Sequence, residues 1–134
     1  MATPDENLYE YAVVRYVPRV DREEFVNIGL IMMCKRRKWL RGEIKLNESR
    51  IRALYPFAEM ESLRSQAAVF LRKDVPSGDI PVEERYRWLA AVRSAVIQVS
   101  PSHPGLLRTE PSPDGSFLPS LDSEFDRLFA SLVP

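Results

Sequence analysis

Between Phe25 and Lys35 the chain carries its most restrictive pattern. Every even position, Val26, Ile28, Leu30, Met32 and Cys34, is apolar. Among the odd positions Phe25, Ile31 and Met33 are apolar, but Asn27 and Gly29 leave a polar gap. Successive strand side chains leave the backbone on opposite faces, so this stretch reads as a strand with one face wholly in a core. The other face is covered at one end and open, or specifically used, around Asn27 and Gly29. Both are poor strand residues. A glycine inside a strand marks a bulge or the close approach of another backbone. Two readings stand. In one, Asn27 satisfies a nearby turn and Gly29 makes room for a helix or a ring. In the other, Glu24, Asn27 and Gly29, with Arg15, floor a small polar site.

A strand of this kind needs neighbours, and the flanking sequence supplies them. Leu8–Val17 is rich in Tyr and Val and apolar on both faces, which predicts a central strand. Pro18 cannot donate to a ladder and should end that strand or sit at an edge. Lys35–Lys38 is the next turn, without the Asn-Gly pair of a tight hairpin. Trp39–Leu46 forms the third strand, with Leu40, Ile44 and Leu46 on one face and Arg41, Glu43 and Lys45 on the other. The first half is therefore an antiparallel three-strand meander.

Helical spacing follows. Asn47 caps a short helix that must end by Tyr55, because Pro56 disfavours helical geometry before it. Ala58–Lys73 places Met60, Leu63, Ala67, Phe70 and Leu71 on one stripe. Asp79 caps a third helix that stops near Val92, and Ala95–Val99 is a fourth strand. Ser100–Pro119 holds five prolines and reads as a loop with a short strand at Leu106–Thr109. Leu121, Phe125, Leu128, Phe129 and Leu132 then define a closing amphipathic helix. The order predicts one α+β domain over residues 1–134: an antiparallel sheet, made of the N-terminal meander plus a later strand, with helices packed on one face.

The chain is 134 residues long, with nineteen basic and nineteen acidic side chains. Fourteen of the basic ones but only seven acidic ones fall between Arg15 and Lys73. That asymmetry suits either a basic face for a polyanion or two halves that pack and neutralise each other. One cysteine allows no internal disulfide, and no apolar run approaches the length of a membrane span, so a cytoplasmic setting is expected.

Few residues could carry chemistry. One Cys and one His cannot assemble a zinc site, and five scattered glycines make neither a P-loop nor a dinucleotide fingerprint. No cofactor and no resident metal are expected. A Cys34–His103 dyad is conceivable, but Cys34 lies on an apolar strand face, where a thiol is usually inert. Glu43 and Lys45 project from one strand face. With Asp21, Glu23 or Glu24 they could hold Mg²⁺ for a metal-dependent phosphodiesterase or nuclease, or they could be a cross-strand ion-pair face. Lys35, Arg36, Arg37 and Lys38 beside Trp39 could bind nucleic acid, or simply guard a sheet edge.

Four stretches carry a family resemblance: VVRYVP, REEFVNIGLIM, WLAAVRSAVIQVS and the Phe125–Phe129 segment FDRLF. Together they resemble the bacterial domain of unknown function 3037 family, from about Tyr9 to Val133. The resemblance implies a small cytoplasmic protein with no established activity, whose relatives are often encoded beside a HipA-like kinase. It thereby implies a non-enzymatic interaction or regulatory module with such a kinase as protein partner. The motif positions that carry over are Glu24, Asn27 and Gly29, then Arg93, Ser94 and Gln98. If the fourth strand paired near the second, Arg93 would meet Glu24 and Gln98 would meet Asn27.

Overall fold

The computed structural model describes residues 5–71, 80–91, 96–111, 113–115 and 117–134. Its organising element is β1 (Asp5–Arg19). This strand is longer than the Tyr/Val-rich run predicts, and Pro18 falls next to its end. A short 3-10 turn at Val20–Arg22 leads into β2 (Glu24–Cys34). The Lys35–Lys38 turn closes with a 3.1 Å hydrogen bond from the Lys38 amide to the Lys35 carbonyl and delivers β3 (Trp39–Ile44). The three strands pair antiparallel, as the alternation predicts.

The other edge of β1 is shared between two strands. β5 (His103–Pro111) pairs with Asp5–Tyr11, and β4 (Ile97–Val99) pairs with Val14–Tyr16. Between them, Pro101 has no N–H to give. Ser100 spans the break: its amide donates to the Val13 carbonyl and its hydroxyl accepts from the Val13 amide, each at 2.9 Å. The sheet order is β3-β2-β1-β5-β6, where β6 is Phe117–Leu118 and β4 also lies on β1.

The 100–119 stretch, expected as a loop with a short strand at Leu106–Thr109, is thus largely strand. Pro104 and Pro111 fit because β5 lies near the sheet margin, where a missing N–H need cost no ladder bond. Its side chains alternate: Leu107 and Thr109 are buried, Leu106 and Arg108 exposed.

Helices follow the predicted spacing. α1 (Glu48–Leu54) is capped by the Asn47 side chain, which accepts from the Arg50 amide at 3.1 Å, and it ends before Pro56. α2 (Met60–Leu71) buries Met60, Leu63, Ala67 and Phe70. α3 (Val82–Ala91) buries Tyr86, whose hydroxyl reaches Ser102 Oγ at 2.8 Å. α4 (Leu121–Leu132) is capped by Ser120 and buries Glu124, Phe125 and Leu128. Asp79, the expected cap of α3, lies outside the described residues. Among the described residues no helix is long and apolar enough to cross a membrane.

Two cores result. Ala12, Val14 and Tyr16 of β1 face α1, α2 and α3 together with Val26, Ile28, Ile31 and Met33 of β2. Tyr9 faces α4 together with Leu30, Met32, Cys34 and Leu107. α1–α3 stand on the sheet face expected of the helices, and α4 takes the opposite one.

The even set of β2 does not stay on one side, which corrects the reading of a single core face. Val26 and Ile28 enter the first core, whereas Leu30, Met32 and Cys34 enter the second. The cause is a bulge. Val14 pairs with Gly29 but Arg15 pairs with Asn27, so Ile28 is one extra residue on β2. An extra residue reverses the side-chain alternation beyond it.

Gly29 sits at that reversal, close under β3. A Cβ there would lie 2.6 Å from the Glu43 carbonyl oxygen and 2.8 Å from Ile44 Cγ1. The first neighbour is backbone and cannot swing aside. Gly29→Ala should therefore destabilise the fold by about 1–3 kcal/mol through overpacking. Urea denaturation of the two proteins measures the difference. Equal midpoints and slopes would mean that β3 does not approach β2 in this way.

Candidate functional site

The bulge decides which polar side chains share a face. Asn27, Arg15 and Gln98 are consecutive partners across β2, β1 and β4, so all three project from the face that carries α4. Arg15 is half-buried, and its guanidinium carbon stands 4.1 Å over the centre of the Phe25 ring. Such a stack stabilises a cation by roughly 0.5–2 kcal/mol, depending on its desolvation. Asn27 donates from Nδ2 to the Leu132 carbonyl at 3.0 Å, satisfying one of the last carbonyls of α4. Two polar atoms in this row are buried without a hydrogen-bond partner, Arg15 Nε and Asn27 Oδ1. Phe25 and Asn27 also line an open cleft of about 250 Å³, together with Arg50, Ser131 and Leu132.

The remaining motif positions separate from this row. Gly29 pairs with Val14, whose side chain enters the first core, so Asn27 and Gly29 lie on opposite faces rather than alternating along one. Glu24 has the parity of Val26 and forms a 2.9 Å ion pair with Arg22. The expected floor of Glu24, Asn27, Gly29 and Arg15 therefore reduces to Arg15 and Asn27. The fourth strand pairs with β1 and not beside β2, so Gln98 does not meet Asn27: Arg15 stands between them. Arg93 and Ser94 lie outside the described residues, and with them the expected Arg93–Glu24 contact.

The Glu43–Lys45 pattern is otherwise engaged. Arg41 binds Glu43, and the same guanidinium reaches Asp126 at 3.0 Å and Asp122 at 3.2 Å while standing 4.3 Å over the Phe125 ring. The guanidinium occupies the place between Glu43 and Asp126 that a shared cation would need. Of the carboxylates expected to join Glu43, Asp21 pairs with Arg19 at 2.7 Å and Glu24 with Arg22 at 2.9 Å. Lys45 is exposed just beyond the end of β3. Among the described residues no three His, Cys, Asp or Glu side chains come together as metal ligands.

In the basic turn, Arg36 donates to the Glu6 carbonyl at 2.6 Å and Arg37 to Asn7 Oδ1 at 3.1 Å, while Lys35 and Lys38 are exposed. Trp39 packs edge-on against Phe125 at 6.4 Å instead of offering a free stacking face. Cys34 is fully buried, and His103 lies against the Tyr11 ring at 5.3 Å on the exposed start of β5.

Sequence reasoning missed one polar cluster. Tyr9 donates its hydroxyl proton to Glu124 Oε2 at 2.9 Å, and Arg127 donates to the other carboxylate oxygen. This ties β1 to α4 inside the second core. Gly105 opposite Tyr9 leaves the room, since a Cβ there would come within 2.2 Å of the ring. The signal was present: Glu124 lies three residues after Leu121 and four before Leu128, on the apolar stripe itself.

Comparison with known proteins returns one family. The family described as "Protein of unknown function (DUF3037)" matches residues 11–133. No curated protein and no solved structure matches the chain.

The clasp between Tyr9 and Glu124 gives stability a defined pH window. Hydrogen bonds from Arg127 above all, and from Tyr9, hold the Glu124 carboxyl below its ordinary value of 4.5. Burial first, and then the bond to Glu124, pushes the Tyr9 phenol up from 10.0 to about 12. The lowered carboxylate contributes stability above its unfolded pKa and loses it as pH falls through the folded one. The raised phenol contributes below pH 10.0 and loses it as pH climbs toward about 12. Thermal melts against pH should show both limbs, and Glu124→Gln should flatten the acid limb. An unchanged acid limb in the variant would place the acid-sensitive carboxylates elsewhere.

Proposed function

The chain belongs to this family of unknown function, and on that premise we propose that it works as a non-enzymatic interaction module that takes a protein partner. The observation that carries the reading is an uncovered apolar pair on the sheet. Leu8 and Leu106 are direct cross-strand partners on β1 and β5, and they are 71% and 55% exposed. Single exposed leucines are ordinary, but two in register make a contiguous apolar spot on a rigid surface.

Beside this pair runs a cleft of about 360 Å³, lined by Leu8, Met33 and Pro104 with Glu10, Lys35, Glu83 and Arg87 around it. Acidic and basic groups thus share the rim of an apolar floor. Interfaces are built in this way, with an apolar centre for affinity and a charged rim that orients the partner. The complementary surface is a protein segment that inserts an apolar side chain and carries charges of both signs beside it. The HipA-like kinase that the family resemblance brings in is the first partner to test. The lone cysteine, buried and unpaired, suits the reducing cytoplasm in which such a kinase would be met.

Co-purification from the native host tests the reading. Wild-type protein should recover the kinase. Leu8→Glu with Leu106→Glu, both at exposed positions, should keep the fold and weaken recovery at least about thirty-fold, the loss expected of central interface residues. Equal recovery by the folded double variant would remove this face from the interaction. Recovery of no kinase by the wild type would remove the kinase.

A further inference from the structure

We propose that Arg15, flanked by Asn27 and Gln98, binds the oxyanion of a small carboxylate- or phosphate-bearing molecule. The site is separate from the Leu8–Leu106 face and goes beyond the interaction reading.

The argument begins with what Arg15 lacks. A guanidinium carries five N–H donors, and leaving such a group half-buried without acceptors costs free energy. Arg15 makes neither a side-chain hydrogen bond nor an ion pair among the described residues, and its Nε is buried with no partner. Most of the other described arginines have a partner, the side chains of Arg50, Arg85 and Arg87 excepted. Arg19, Arg22, Arg52, Arg108 and Arg127 each pair with a carboxylate, and Arg41 pairs with three. At Arg15 the cross-strand neighbours that could hold an acid hold amides instead, Asn27 on one side and Gln98 on the other. The positive charge is kept and its partner is left out.

The geometry directs the open end. Phe25 lies against one face of the guanidinium, so the planar fork is fixed while its Nη edge stays available. A fork of this kind matches a carboxylate or a phosphate through two parallel hydrogen bonds. Asn27 is anchored to α4 through Leu132, which holds its side chain still and satisfies that helix carbonyl. Phe25 and Asn27 also border the cleft of about 250 Å³, whose lining is completed by Val26, Arg50, Ser131, Leu132 and Pro134 and does not include Arg15 itself. A small anion on Arg15 would lie beside Phe25 and Asn27, the two residues that the row shares with this cleft.

Two-dimensional NMR of the intact protein tests the site with sodium phosphate and sodium acetate as probes, each against sodium chloride at constant ionic strength. Saturable shifts are expected at the Arg15 Nε–H, the Asn27 side-chain amide and the Phe25 backbone. The stronger of the two probes identifies which oxyanion is preferred. Arg15→Gln should lose the saturable response. Gln98→Glu keeps Arg15 but gives it an internal carboxylate; the Gln98 side chain makes no hydrogen bond among the described residues, so the fold should survive. It too should lose the response. Shifts that follow ionic strength alone, or saturable shifts that persist in Gln98→Glu, would overturn the proposal.

Discussion

The structure depends on β1 being hydrogen-bonded along both edges. β2 covers one edge from Glu10 to Arg19, while β5 and β4 divide the other. A central strand with both edges filled has no freedom to slip, because a one-residue shift would exchange the faces of every side chain on it. The weak point of such an arrangement is the junction of β4 and β5, where Pro101 interrupts the donors. Ser100 repairs it with one amide and one hydroxyl, both directed at Val13. With β1 fixed in register, the irregularities of its neighbours become positional information.

The bulge in β2 is the chief of these. Before it, β2 shares the first core with α1–α3. After it, the even side chains turn to α4. One inserted residue therefore lets a single apolar strand serve two cores on opposite faces. It also sets the polar residues apart. Asn27 goes to the α4 face, beside Arg15, and Gly29 goes beneath β3. α4 is held across that face at three places: Arg41 gathers Asp122 and Asp126 near its start, Tyr9 holds Glu124 between those two, and Asn27 meets Leu132 at its end. These bonds also join the basic stretch to acidic residues of the last helix, so part of the charge asymmetry along the sequence is neutralised by packing.

Much of this was legible in the sequence. The meander, the Asn47 cap, the stop before Pro56 and the stripes of α2 and α4 follow from local rules that tertiary contacts did not override. The bulge was not legible, because Ile28 and Leu30 are equally apolar and composition does not distinguish the faces they serve. β5 was hidden by prolines, which signal a loop unless the strand lies where a missing N–H is tolerated. At the candidate site, Arg15, Asn27 and Gln98 could each be singled out as unusual, but their alignment in one row depends on which strand β4 joins. Glu24 was drawn into the same set by its nearness in sequence and by the shared motif, neither of which fixes the face on which it lies. Tyr9 and Glu124 are 115 residues apart, and only Glu124's position on an apolar stripe hinted at a buried partner.

The register of β1 against its neighbours is the claim on which the two cores and the Arg15 row both stand. Long-range NMR contacts between backbone protons across the strands measure it directly. Contacts should link Val14 with Gly29, Arg15 with Asn27 and Arg15 with Gln98, leaving Ile28 as the extra residue. An unbroken ladder that sets Arg15 opposite Ile28 would contradict it.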